Sequence, residues 1–417
     1  MRTVLQIAIL LAGFVLMPMS PVQAQPMASV PVDPTVVVTR SGPVAGVREG
    51  GSMVFRGIPY AAPPVGELRW REPREPVPWT EVRAAQSLGR ACIQKPGLSE
   101  ANGGAPGAIG EDCLYLNVWT PQAVVAARLP VLVWIHGGAL VFGSGGVPIY
   151  DGAALAGRQA VVVTINYRLG PLGFFVHPSL GNGGSRAVAN FGLLDQVEAL
   201  HWVKRNIAAF GGDPGEVTIF GQSAGAESVL ALYASPLARG LFARGIAQSP
   251  YGIPGHRLAQ ASANGIGIAA RLGLPGAEAT AAALRAVPAE SFAGLDGPGL
   301  SLAPAFVIGD RALPDSILGA FQRGTEAMLP LVVGSTSDDS SVAVAFGIDP
   351  AALVKKLGAA RIAVRTLYPR DTDDAELGRQ VVRDVVFTTF AKRIAWLHAE
   401  RAPTWRYFFD YVAEGRR

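Results

Sequence analysis

The sequence predicts an α/β protein: a mostly parallel central sheet, helices on both faces and a helical cap region. Three observations carry that reading. Short, nearly continuous apolar runs recur along the chain, as strands buried on both faces require. Segments of helical periodicity separate them. A glycine-flanked serine, Gly221-Gln222-Ser223-Ala224-Gly225, sits where one such strand passes into a helix.

The elements follow in order. Arg2, the unbroken apolar run Ile7 to Met17 and the small-x-small site Val22-Gln23-Ala24 read as an export signal over residues 1–24, cleaved after Ala24. An apolar run of that length is short for a bilayer span, which takes about 20 residues. No later segment is apolar enough to cross a membrane, so the expected mature domain is 25–417, secreted or periplasmic. Residues 25–130 hold short strands, turns and dense proline. Leu129–Ile135 and Ala160–Ile165 read as buried strands, and Asn190–Phe210 as a helix with Leu194, Val197, Leu200, Val203 and Ile207 on one face. Val217–Phe220 is a third strand and Ser223–Ala234 the helix after it. Arg244–Gln248 is a fourth. Residues 252–325, alanine-rich and broken by Gly and Pro, leave the sheet as the cap. Pro330–Gly334 returns to it, 374–400 is helical, and Thr404–Val412 is a final aromatic strand.

Composition narrows the class. Fifty glycines in 417 residues, beside 49% hydrophobic and 16% charged residues, describe a core-rich chain with many tight turns. Net charge is +4 with Lys and Arg scattered, and no basic run follows a phosphate backbone, which excludes a nucleic-acid partner. The two cysteines, Cys92 and Cys113, are expected to pair in an oxidising compartment; the alternative is two buried free thiols. A bond there closes a loop worth about 3 kcal/mol in the chain-entropy model.

The chemistry concentrates at Ser223. A strand-to-helix turn with glycine two residues away on each side lifts a serine oxygen above the sheet edge. It also sets that oxygen at a helix N-terminus, where the dipole favours developing negative charge. Acyl transfer further needs donors aimed at the tetrahedral oxygen. The N–H of Ala224 is one. The small-residue loop His136-Gly137-Gly138-Ala139, leaving the Leu129–Ile135 strand, supplies Gly138 and Ala139 as others.

These stretches resemble the type-B carboxylesterase (cholinesterase-like) family of α/β-hydrolases. The matching segments are Phe55-Arg56-Gly57-Ile58-Pro59-Tyr60-Ala61-Ala62-Pro63-Pro64, Glu111-Asp112-Cys113-Leu114-Tyr115-Leu116-Asn117-Val118 and Val133-Trp134-Ile135-His136-Gly137-Gly138-Ala139. Asn166-Tyr167-Arg168-Leu169-Gly170 and Phe210-Gly211-Gly212-Asp213-Pro214, running on to Ser223, complete them. The resemblance spans about residue 35 onward. It implies an α/β-hydrolase fold, a Cys92–Cys113 bond, an oxyanion hole from Gly138, Ala139 and Ala224, a small-molecule ester substrate, and neither metal nor organic cofactor. The family's third loop glycine is Ala139 here. The family's acid register selects Asp339 in Gly334-Ser335-Thr336-Ser337-Asp338-Asp339-Ser340, with Asp338 as its competitor.

In the resemblance the triad histidine lies in a His-Gly/Ala-x-Glu segment beyond the last aromatic strand. The sequence reaches Arg417 five residues past Val412, so a C-terminally shortened form is expected. None of the five histidines fits the vacant role. His136 belongs to the oxyanion loop, His201 and His398 to helices, His177 to a loop and His256 to the cap. Two readings stand: a carboxylic-ester hydrolase acting through a serine acyl-enzyme, and a catalytically inactive hydrolase fold used for binding. An uncovered last strand would expose Trp405, Tyr407, Phe408 and Phe409. Residues 93–112 carry no aromatic ring that would stack a choline cation, so short neutral acyl esters are the expected substrates.

Overall fold

Among the described residues, nine strands form the central sheet. In chain order they are β1 Val47–Glu49, β2 Ser52–Pro59, β3 Tyr115–Pro121, β4 Leu129–Ile135, β5 Val161–Ile165, β6 Gly212–Gln222, β7 Arg244–Gln248, β8 Leu331–Thr336 and β9 Thr404–Phe409. Their order across the sheet is β1-β2-β3-β5-β4-β6-β7-β8-β9. The β5-β4-β6-β7-β8-β9 portion is parallel throughout, while β1, β2 and β3 add antiparallel pairs at one side. The structure, a computed structural model, describes residues 35–101, 103–121, 127–181, 188–295, 306–341, 349–369 and 372–411. The expected export signal lies outside them, as does Val412.

The strands form where β-branched residues cluster, because such side chains pack well on a pleated surface. Val161, Val162, Val163, Thr164 and Ile165 are all buried, which demands cover on both faces of β5. Helices α1 Phe191–Asn206, α2 Ala224–Ala234 and α5 Thr389–Ala399 pack on the sheet, while α3 Leu258–Arg271 lies in the segment between β7 and β8 and α4 Asp374–Val382 precedes α5. A π-helical turn, Arg383–Thr388, joins α4 to α5.

The boundaries differ from the sequence reading in physically simple ways. The long helix tightens to a 3-10 turn over Ile207–Phe210 and ends on Gly211 at φ +85°. Strand β6 reaches back to Gly212, because Gly212 pairs with Leu129 across a register shift. The helix after the elbow starts at Ala224, not Ser223, since Ser223 holds φ +57°, ψ −122°. The cap departs after β7 and returns before β8. His256–Arg257 and Val307–Ile308 pair in parallel near its two ends.

The register decides where the site forms. Ile135 pairs with Gly221, Gln222 with Gln248, Gln248 with Gly334, and Gly334 with Tyr407. The carboxyl ends of β4, β6, β7, β8 and β9 therefore share one rim. Open parallel sheets bind ligands at that rim.

Candidate active site

Ser223 stands at the tip of the turn between β6 and α2. Two glycines make the turn sterically possible. A methyl on Gly225 would lie 2.1 Å from the carbonyl oxygen of Ile135, and one on Gly221 would lie 2.6 Å from the carbonyl of Gly225. The backbone N–H of Ser223 donates to the Gln248 carbonyl at 2.9 Å, and its carbonyl accepts the Glu227 N–H at 2.9 Å. The turn is thus fastened to β7 on one side and to its own helix on the other. Its side chain caps nothing.

The His136–Ala139 loop leaves β4 on the same rim. A methyl on Gly137 would stand 2.7 Å from the Gln222 carbonyl and 3.3 Å from the Ser223 Cβ, so loop and elbow are in contact. Gly138, at φ +101°, accepts the N–H groups of Val141 (2.9 Å) and Phe142 (3.1 Å). Among the described residues the amide N–H groups of Gly138, Ala139 and Ala224 make no hydrogen bond. Ser223, Gly138 and Ala139 are half-buried, with Gln222 beside Ser223 exposed. Among the described residues, four of the seven non-glycine positions with positive φ, Ala139, Leu140, Ser223 and Ser249, gather at this rim. Backbone strain collects where the surroundings over-determine it, and functional sites are the usual place.

His136 holds the loop from beneath. It is buried, its Nδ1 lies 2.8 Å from the Gly137 carbonyl oxygen, and its ring stacks on Tyr167 at 4.4 Å. Burial pushes its pKa down to about 4, so the ring is neutral at pH 7. Gly143 packs against that ring and is clamped by Gln94. The Gln94 Oε1 accepts the Gly143 N–H at 2.9 Å, and its Nε2 donates to the Gly143 and Cys92 carbonyls. Cys92 is bonded to Cys113.

Asp339 lies three residues past β8, two strands from the elbow; adjacent strands are about 4.8 Å apart, giving a lateral offset of roughly 10 Å. Both its carboxylate oxygens face Thr336. Oδ2 accepts the Thr336 N–H at 2.8 Å and Oδ1 the hydroxyl at 2.9 Å. Burial, with the Asp339 charge nearby, raises the Tyr407 phenol to about 12. Asp338 is exposed and accepts the Ser340 hydroxyl.

Among the described residues no imidazole is hydrogen-bonded to Asp339. His177 caps a short 3-10 turn and contacts the Gly276 carbonyl. His398 is fully buried against Glu326, 3.0 Å away, with Nε2 on the Leu329 carbonyl before β8, at the opposite end of that strand. His201 lies on α1, and His256 lines a cavity. That cavity, about 80 Å³, has Val141, Leu169, Phe174, Phe175 and Ile268 among its walls. Val141 is two residues past Ala139. No group of His, Cys, Asp and Glu suited to a metal occurs among the described residues.

Sequence reasoning missed Glu227. This acid lies buried in α2 one turn past Ser223, with Oε1 accepting the Tyr251 N–H at 2.8 Å. The signal was a lone carboxylic acid heading the apolar run Val229–Ala234.

Fold and geometry together define an α/β-hydrolase in which a glycine-flanked serine turn between strand and helix contacts a small-residue loop. Residues 33–377 match the carboxylesterase family, and the chain belongs to it. It is 38% identical over 416 residues to a fumonisin B1 esterase of Sphingopyxis macrogoltabida, covering 94% of this chain and 75% of that protein. It is 37% identical to the para-nitrobenzyl esterase of Bacillus subtilis, covering 90% and 78%. A solved carboxylesterase of Geobacillus stearothermophilus superposes with a TM-score of 0.78 at 36% identity, covering 91% of this chain and 80% of that one. The protein is by family a serine esterase, acting on carboxylic esters. Among the described residues no helix is long and apolar enough to cross a membrane.

Proposed function

We propose that Ser223 is the nucleophile of this esterase and that Gly138, Ala139 and Ala224 form its oxyanion hole. The observation that carries this reading is the contact between the Ser223 turn and a loop whose amide N–H groups are unspent. Ser223 attacks the ester carbonyl, the three N–H groups receive the tetrahedral oxygen, the alcohol leaves, and water releases the acid from the acyl-enzyme. Asp339 is the acid that orients an imidazole for proton transfer. Its carboxylate would exchange the Thr336 contacts for that ring. Short neutral acyl esters are the proposed substrates. Residues 1–24 are an export signal and 25–417 the hydrolase domain. The Cys92–Cys113 bond favours an oxidising, non-cytosolic compartment.

The test is p-nitrophenyl acetate hydrolysis and fluorophosphonate labelling of the purified protein, with Ser223→Ala as the blank. Turnover and label that disappear together in the variant are the expected result. Hydrolysis unchanged in Ser223→Ala would sink the assignment. A folded protein that neither hydrolyses nor labels would favour the binding-protein reading, in which no imidazole meets Asp339.

A further inference from the structure

Glu227 has no role in the steps above, yet its placement is costly. It is 4% exposed, and no lysine, arginine or histidine is paired with it among the described residues. Burying an acid without a cation is unfavourable unless hydrogen bonds offset it. Burial raises its pKa well above the usual carboxylate range, because the apolar surroundings disfavour the charged form. Its Oε1 accepts the backbone N–H of Tyr251.

That N–H belongs to a loop pinned on every side. Gln248, at the end of β7, accepts the Ser223 N–H. Ser249, at φ +53°, donates its N–H to Gly334 at 2.8 Å. Gly252 donates to Val386, in the π-helical turn, at 2.8 Å. Glu227 supplies the remaining tie. The elbow is therefore held to this loop at two levels: at Ser223 itself, and one helical turn further on.

We propose that Glu227 is a positioning residue of the ester-hydrolysing site: its buried side chain ties the elbow helix to the Ser249–Gly252 loop and so fixes the direction in which Ser223 presents its hydroxyl. The inference rests on Ser223 being the nucleophile. It extends the site to a residue that touches neither substrate nor reacting atoms.

Three variants test it: Glu227→Gln, whose amide oxygen accepts the same N–H; Glu227→Met, of similar volume with no comparable acceptor; and Glu227→Ala. The readouts are the fluorophosphonate labelling rate, kcat and KM for p-nitrophenyl acetate, and the melting temperature. Glu227→Gln should label within about twofold of the parent, whereas Glu227→Met and Glu227→Ala slow by about tenfold to a hundredfold, the scale of an ångström-level misplacement. The loss falls in kcat with KM held, and Glu227→Met shows it without a fall in melting temperature. Wild-type labelling in Glu227→Met, or a Glu227→Gln variant as slow as Glu227→Met, overturns the proposal. Labelling that persists in Ser223→Ala overturns the nucleophile assignment separately, and a parent that takes no label overturns both.

Discussion

Ala139 holds φ +52° in the loop that contacts the Ser223 turn. A left-handed conformation brings an L-residue's Cβ against the following carbonyl and costs about 1–2 kcal/mol. Glycine avoids that contact but loses more chain entropy on folding, by about 0.5–1 kcal/mol. The difference favours glycine, so Ala139→Gly should stabilise the protein by about 1 kcal/mol, read as a higher urea midpoint at unchanged m. An unchanged or lower midpoint would mean that the Ala139 methyl gains more from packing than the backbone loses. Gly138 is the opposite case. A methyl there would lie 2.1 Å from the Phe142 carbonyl oxygen, so no side chain is tolerated without moving the loop.

At the scale of elements, the last strand is the exposed one. Among the described residues, strand β9 pairs with β8 on one side and is the last strand of the sheet on that side. Trp405 is 56% exposed, Phe408 44% and Phe409 53%. A long edge with apolar side chains is a template for pairing with another chain. Replacing Trp405 and Phe409 together by Lys should slow aggregation of the protein, followed by light scattering at 37 °C, with the melting temperature held. Scattering that does not fall would move the liability elsewhere on the surface. The aromatic character of β9 was legible in the sequence, as were β4 and β5, because apolar β-branched runs report burial directly. The placing of β4 between β5 and β6 was not legible, because periodicity reports which face is covered and not which strand lies beside it. Nor was the tie from Glu227 to Tyr251, whose meaning depends on a loop 24 residues away. The elbow was legible because its glycines answer to contacts within a few residues or at the adjacent strand end.

Across the whole molecule, the disulfide and the His136–Ala139 loop form one mechanical path. Cys92–Cys113 fixes the segment carrying Gln94; Gln94 clamps Gly143; Gly143 packs on His136; and His136 supports the Gly137 carbonyl beneath the loop. Asn166 braces the same region from β5, its Nδ2 donating to the Arg90 and Cys113 carbonyls and its Oδ1 accepting the Gly145 N–H at 2.8 Å. Removing the covalent link therefore acts at two levels. The unfolded chain regains the entropy of a loop of sequence separation 21, and the double variant Cys92→Ser/Cys113→Ser should lose about 3 kcal/mol of stability. The loop should also loosen before the sheet does, since the clamp loses its anchor while β4 to β8 keep their ladders. Amide exchange should show this as faster exchange at Gly138–Gly143 than at Val161–Ile165 under conditions where the variant is still folded. Uniform acceleration at both segments would mean that the bond acts only through the unfolded state. Unchanged stability would mean that the Asn166 and Gln94 hydrogen bonds hold this corner of the molecule without it.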